Sequence, residues 1–161
     1  MSGPTPSRPH MPGYDEMLDA GSGLLPWSWA AERLSQAHNY WLATTRPDGR
    51  PHAMPVWGLW LDGTFYFSTG TRSRKARNLA ANARRVVCPK NAADAVILEG
   101  VAEEETDPEV LAQFKDAYFK KYDWDMNTTR GGIYAVRPRV AFAFIENAGE
   151  STGSATRWRF D

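Results

Sequence analysis

The chain has 161 residues, with Lys plus Arg and Asp plus Glu equal at 19 each. That length suits one domain with a real core, and a neutral total argues against a general nucleic-acid binder, which is usually basic overall. A single cysteine, Cys88, excludes an intrachain disulfide; His10, His38 and His52 lack metal-ligand spacing; no apolar run nears the roughly twenty residues of a membrane span. With no charged-then-apolar leader pattern either, the expectation is a cytoplasmic protein with no metal site and no membrane partner.

The first thirteen residues are rich in Pro, Ser and Gly, and residues 1–25 read as a mobile N-terminal arm ahead of one domain at 26–161. Pro26 suits a helix entry, and Trp27, Ala30, Ala31 and Leu34 share one helical face, which predicts a helix over 27–38. The period then changes. Tyr40–Thr45 is strand-like, Pro47-Asp48-Gly49-Arg50 is turn chemistry, and 51–61 resumes as a strand. Asp62-Gly63 turns again into a third strand, Thr64–Thr69. A basic helix follows over 73–82, then strands over 84–90 and 93–103. Thr106-Asp107-Pro108-Glu109 reads as a capping box with a well-placed proline. It opens a helix to about 121, with Val110, Leu111, Phe114, Ala117 and Tyr118 on its inner face. A long strand over 132–145, with Pro138 as a candidate bend, and a last strand over 156–160 complete the chain. Short strands at this spacing predict a small antiparallel barrel, with an open two-layer sheet as the competing architecture. No Gly-x-Gly-x-x-Gly follows a strand and no Walker loop is present, which argues against Rossmann and P-loop folds.

The strongest local signal is Gly70-Thr71-Arg72-Ser73-Arg74-Lys75-Ala76-Arg77-Asn78-Leu79. A helix N-terminus carries partial positive charge and unpaired N–H groups, so cations there are unfavourable and anions are favoured. Arg72, Arg74 and Lys75 at that end make sense around a phosphate or similar anion. A solvated basic face or a nucleic-acid patch is the other reading, and the stretch alone leaves both open.

In Pro51-His52-Ala53-Met54-Pro55-Val56-Trp57-Gly58-Leu59-Trp60, Pro55 removes a ladder donor and marks an edge or rim. Gly58 admits close approach of a backbone or a flat ligand. Alternation puts His52, Met54, Val56, Gly58 and Trp60 on one face and Ala53, Pro55, Trp57 and Leu59 on the other. Trp57 and Trp60 as plain core residues is the competing reading. Cys88, in Val86-Val87-Cys88, reads as a buried residue rather than a catalytic thiol. Asp123 and Asp125 flank Trp124, in a stretch that either lines a pocket or ends a helix. No general acid, base or Ser-His-Asp set emerges, so a catalytic residue is not assigned; an organic cofactor is expected to carry any chemistry.

Taken in order, Tyr40–Thr44, Pro47-Asp48-Gly49-Arg50-Pro51-His52, Pro55-Val56-Trp57, Phe65–Gly70 and Ser73–Leu79 resemble the pyridoxamine 5′-phosphate oxidase-like split-barrel superfamily. Within it the chain is most similar to the B class of flavin/deazaflavin oxidoreductases, known from actinobacteria. The resemblance runs from about Pro26 to the C-terminus. It implies a mainly β fold, a six-stranded antiparallel split β-barrel of the FMN-binding type with flanking helices. It also implies a homodimer with the cofactor in a groove at the interface. By position, Ser73, Arg74 and Lys75 fall where the family grips the cofactor phosphate, with Arg72 and Asn78 as helpers, and Met54, Pro55, Val56 and Trp57 fall where it lays the ring.

Members of the superfamily use FMN, the deazaflavin F420 or, in some branches, haem. The B class commonly uses F420, which implies hydride transfer from the reduced cofactor to a small unsaturated or conjugated substrate. F420 carries a polyglutamate tail, for which Arg77, Arg84 and Arg85 are surplus cations. An FMN-dependent oxidase or reductase and a non-catalytic cofactor carrier are the alternatives. The chain ends Arg157-Trp158-Arg159-Phe160-Asp161 and lacks the Arg-x-His of true pyridoxamine phosphate oxidases, so pyridoxal phosphate synthesis is not expected. For the haem-using branches, His52 is the one well-placed histidine.

Overall fold

A computed structural model describes residues 3–13, 23–146 and 153–161. Helix α1 (Trp27–Gln36) precedes strands β1 (Tyr40–Thr45), β2 (Pro51–Val56), β3 (Leu59–Leu61) and β4 (Thr64–Thr69). Helix α2 (Arg74–Ala81), β5 (Arg84–Pro89), β6 (Asp94–Glu104), α3 (Pro108–Tyr122), β7 (Gly132–Ile145) and β8 (Thr156–Arg159) follow. The strands form one antiparallel sheet in the order β2-β1-β5-β6-β7-β4-β3, with β8 paired to β7.

The two edge strands of that sheet are consecutive in sequence. Only Trp57 and Gly58 separate β2 from β3, and three Cα steps reach at most about 11 Å. The sheet therefore curls until its edges come close, as a split barrel does. Eight strands are present among the described residues, where six were expected. The sequence pattern marks seven strands, one more than the resemblance implies, and β8 is the last of them; the eighth arises because the stretch expected as one strand over 51–61 breaks in two at Gly58. A Cβ at Gly58 would lie 2.3 Å from Phe65 Cζ and 2.8 Å from the Tyr66 carbonyl oxygen, so glycine is what lets the chain pass there.

Strand β7 is the spine. It pairs with β6 along its length, and on its other edge with β4 at Gly132–Val136 and with β8 at Val140–Ala143. Opposite Glu99 and Gly100 the register skips Arg139, which bulges out of the ladder next to Pro138. Proline has no N–H to give the ladder, and the bulge absorbs that loss.

Alternation divides the core. Tyr40, Leu42, Phe65, Phe67, Val87, Leu98, Val136 and Trp158 fill the barrel and meet Ala30 and Leu34 of α1. Tyr66, Ile133 and Ala135 point the other way, onto Phe114, Tyr118 and Tyr122 of α3. Of the inner face expected for α3, Val110, Leu111 and Ala117 are partly buried and Phe114 and Tyr118 fully so.

Helix α3 starts one residue later than the capping-box pattern suggests. Asp107 is the N-cap and accepts from the Glu109 amide at 2.9 Å, while the Glu105 carboxylate takes the Thr106 and Asp107 amides, each at 3.0 Å. Pro108 holds Asp107 extended, which makes it the cap. The arm also has partners. Ser7 exchanges backbone hydrogen bonds with Arg157 at 2.8 and 2.9 Å, and Arg8 donates to the carbonyls of Gly153 and Ala155. Residues 14–22 of the expected arm lie outside the described residues.

Candidate cofactor site

Ser73 caps α2 through a hydrogen bond its Oγ accepts from the Ala76 amide at 3.0 Å, and Thr69 Oγ1 lies 2.9 Å from the same oxygen. The first turn of α2 holds no acidic residue. Arg72, Arg74 and Arg77 are exposed and Lys75 is partly buried. Among the described residues no carboxylate pairs with any of these four. Burial lowers the pKa of the Lys75 ammonium, so its charge lacks the hydration an exposed lysine has.

His52 on β2 reports the same field. Desolvation, then Arg46, Lys75 and Arg74, hold its imidazole below the ordinary range. Its Nδ1 lies 3.4 Å from Thr44 Oγ1, which accepts from Asn78 Nδ2 at 2.8 Å. Asn78 is fully buried beneath α2, so its amide braces β1 against the helix, away from the exposed basic face. Arg46 was not singled out by sequence. It precedes the Pro47-Asp48-Gly49 turn, whose signal masks it, and its Nε is buried without a hydrogen-bond partner among the described residues.

On the segment expected to carry the ring, Met54 and Trp57 are 41% and 40% exposed, Pro55 is exposed and Val56 is buried. Only Met54, Pro55 and Trp57 offer side chains to a ligand. The chain break after Val56 also ends the alternation expected there. Trp57 stacks on Tyr122 with ring centroids 4.7 Å apart and planes 6° from parallel. His38 meets both rings edge-on.

A depression of about 370 Å³ lies between Trp57 and the end of β4; of the expected site residues only Trp57 lines it, and Met54–Val56, Arg72–Lys75 and Asn78 do not. Trp57 forms one wall, Thr69 and Gly70 lead into α2, and Tyr118, Trp124 and Met126 close the far side. The stretch after α3 therefore satisfies both sequence readings. Asp123 ends the helix in a left-handed conformation with φ of 52°, and Trp124 lines the depression, its Nε1 donating to Thr129 Oγ1.

Cys88 is partly buried and burial raises its thiol pKa, which suits a packing role. Among the described residues no three His, Cys, Asp or Glu side chains cluster as metal ligands, and no helix is long and apolar enough to cross a membrane.

Comparison with known proteins supplies the family. Solved structures of the same fold include a conserved hypothetical protein of Mycobacterium tuberculosis, 22% identical, with a TM-score of 0.70 over 80% of this chain and 90% of that one. An F420 reductase is 26% identical, with a TM-score of 0.55 over 68% of this chain and 93% of that one. A heme binding protein of Mycobacterium smegmatis is 23% identical, with a TM-score of 0.60 over 78% of this chain and 56% of that one. No curated protein matches the chain. The profile of the family described as pyridoxamine 5′-phosphate oxidase matches residues 29–146, well over half the chain, and this protein belongs to that family.

Proposed function

We propose that this protein is an F420-dependent reductase. The carrying observation is a helix N-terminus, capped by Ser73, that gathers Arg72, Arg74 and Lys75 with no acidic partner among the described residues and follows directly on Gly70, which lines an aromatic depression. A phosphate fits that end, where backbone amides and three cations replace its hydration. A flat ring fits the depression, between Trp57 and the Tyr118–Trp124 wall. The likeness to an F420 reductase supports the deazaflavin among the cofactors of this fold.

When bound, the deazaflavin supplies a hydride. The chain's own work is positional. Arg72, Ser73, Arg74 and Lys75 anchor the phosphate, and Trp57, held by Tyr122, orients the ring and excludes water from one side. The substrate is an electron-poor, unsaturated small molecule. No acid or base of this chain is given a role.

A homodimer is part of the proposal. Pairing puts Pro55 beside Trp41, Trp41 beside Cys88, and Ile97 beside Phe142 on the outer sheet face, where Trp41 is 51% and Phe144 38% exposed. Exposed rings on one apolar face are the mark of an interaction surface. A second copy on it would enclose the cofactor groove.

Side-by-side fluorescence titration with F420 and FMN tests the assignment. Tighter F420 binding, followed by turnover of an acceptor with the reduced coenzyme, is the expected result. Preference for FMN would move the protein to flavin chemistry. F420 binding without turnover of any acceptor would make it a carrier. Sedimentation of a monomer would remove the dimer.

A further inference from the structure

Strand β8 has one edge on β7 and a second edge at the rim of the sheet. In an antiparallel ladder the N–H and C=O of one residue point to the same side, and those of the next residue to the other. Phe160 donates its N–H to the Arg139 carbonyl on β7, and Arg157, three residues earlier, turns its backbone groups the other way. An open edge of that kind is a template for strand addition by another chain.

The N-terminal arm sits on this edge. The Ser7 N–H donates to the Arg157 carbonyl at 2.9 Å, and the Ser7 carbonyl accepts from the Arg157 N–H at 2.8 Å. Ser7 Oγ donates to the same Arg157 carbonyl at 3.1 Å. Arg8 Nη1 donates to the carbonyls of Gly153 and Ala155, each at 2.7 Å. Two arm residues thus satisfy three carbonyls along one edge, with a guanidinium standing in for a strand.

The prolines of the arm show what this contact does. In an extended arm the backbone groups of Pro4 and Pro6 face away from β8, where a further strand would pair. Neither has an N–H to offer it. Pro9, on the β8 side two residues after Ser7, has none either, and the ladder stops at the one bridge between Ser7 and Arg157. A segment that served only to tie down the terminus would pair over several residues. This one covers the edge and presents no new edge of its own. Its start is packed as well: a Cβ on Gly3 would lie 3.0 Å from Trp27 Cδ1, and Trp27 meets Trp158 of β8 edge-on at 5.3 Å.

We propose that the outer edge of β8 is a strand-docking site that the chain fills with its own N-terminal arm, residues 3–9, and that the arm guards this edge against extended segments of other molecules. Its recognition elements are a main-chain pair at Arg157 and the two carbonyls that take an arginine one residue further along the arm. The ligand is therefore short and extended, with an arginine next to the pairing residue. The site stands without the cofactor reading: β8 joins β7 at Val140–Ala143, beyond the Gly132–Val136 stretch that carries β4 and the depression.

The test uses the full chain as wild type, S7P and R8A, with a synthetic peptide of residues 3–13 as the probe. S7P removes the N–H that pairs with the Arg157 carbonyl, and both substitutions lie in the arm, outside the two cores. Hydrogen exchange at the Arg157 amide should be about tenfold faster or more in S7P, and unchanged at Ile133–Val136 of β7, which reports the fold. The peptide should shift the Arg157 amide resonance saturably in S7P and leave it unmoved in wild type, where the edge is filled. A peptide carrying Arg8→Ala should bind S7P about tenfold more weakly. Sedimentation at rising concentration should show larger species for S7P and R8A than for wild type, reversed by the peptide. Wild-type exchange at Arg157 in both variants would overturn the docking site, as would peptide uptake equal in wild type and S7P, or absent in S7P. Larger species in neither variant would overturn the guarding role.

Discussion

The Tyr122 hydroxyl accepts from the Gly58 amide at 2.9 Å and lies 2.8 Å from both the Gly58 and the His38 carbonyl oxygens. One phenol at the end of α3 thus serves the joint between the two sheet edges and the loop after α1. Its ring carries Trp57. Tyr122→Phe keeps the stack and leaves the buried Gly58 N–H without an acceptor. Chemical denaturation should show a loss of about 1–3 kcal/mol. Cofactor affinity should fall less than stability, because the Trp57 stack survives. Wild-type stability would mean that the joint does not depend on the phenol.

Gly58→Ala probes the same joint by volume. The added methyl would meet a backbone oxygen at 2.8 Å as well as the Phe65 ring. A ring can turn, whereas the Tyr66 carbonyl is held in the sheet. The expected cost is about 1–3 kcal/mol, read as a lower denaturation midpoint. An unchanged midpoint would show that the two edges are free to separate.

Ser73→Ala and Lys75→Ala should separate stability from binding. Ser73→Ala removes the cap of α2 and the contact with Thr69, a loss of about 1 kcal/mol of stability. Lys75→Ala removes no ion pair among the described residues and should leave the melting temperature near wild type. Its effect should be on the cofactor, a loss of about 1.5–3 kcal/mol in binding for one charge-assisted contact. Cofactor affinity unchanged in folded Lys75→Ala would remove the phosphate assignment.

Stability should rise between about pH 8 and pH 10. Burial pulls the Lys121 ammonium down to about 8, while an unfolded lysine titrates near 10.4. Between those values the unfolded chain holds a proton that the folded chain lacks, so raising the pH favours folding. The cost of burying that charge is fully present below pH 8. Lys75, shifted in the same direction, adds to the rise. Tyr122, pushed up to about 12 by burial, and Tyr40, pushed higher by burial, work the other way: unfolded phenols ionise first, around pH 10, so the rise slackens and ends as the pH nears 10. Urea titrations at half-unit pH steps should show the rise in wild type and a weaker one in Lys121→Met. A flat wild-type profile would mean that Lys121 is hydrated in the folded state.

The segments legible in the sequence were those whose signal is local. The basic turn after Gly70 announced a helix start, which the structure places at Arg74 behind the Ser73 cap, and the strands around the Asp48-Gly49 and Asp62-Gly63 turns began and ended where period and turn chemistry put them. The break at Trp57-Gly58 was not legible, because it depends on Phe65 and Tyr66 occupying the space a side chain would need. The far wall of the depression comes from Tyr118 and Trp124, which reach Trp57 only through the packing of α3 on β4. Arg46 drew no reading and Arg85 was read only as a surplus cation, since composition cannot tell a solvated arginine from Arg85, which is buried, or Arg46, which is partly so. In each case the missing information was a contact between residues distant in the chain.

Because β7 is hydrogen-bonded on one edge by β6 and on the other by β4 and β8, no single strand can leave and free its backbone. Opening it demands that the whole sheet come apart. Its amides at Ile133–Val136 and Ala141–Ala143 should therefore be the last in the molecule to take up deuterium, exchanging only through global unfolding. The two-residue joint between the sheet edges, by contrast, hangs on Tyr122 and the space around Gly58, so its amides should exchange before those of β7.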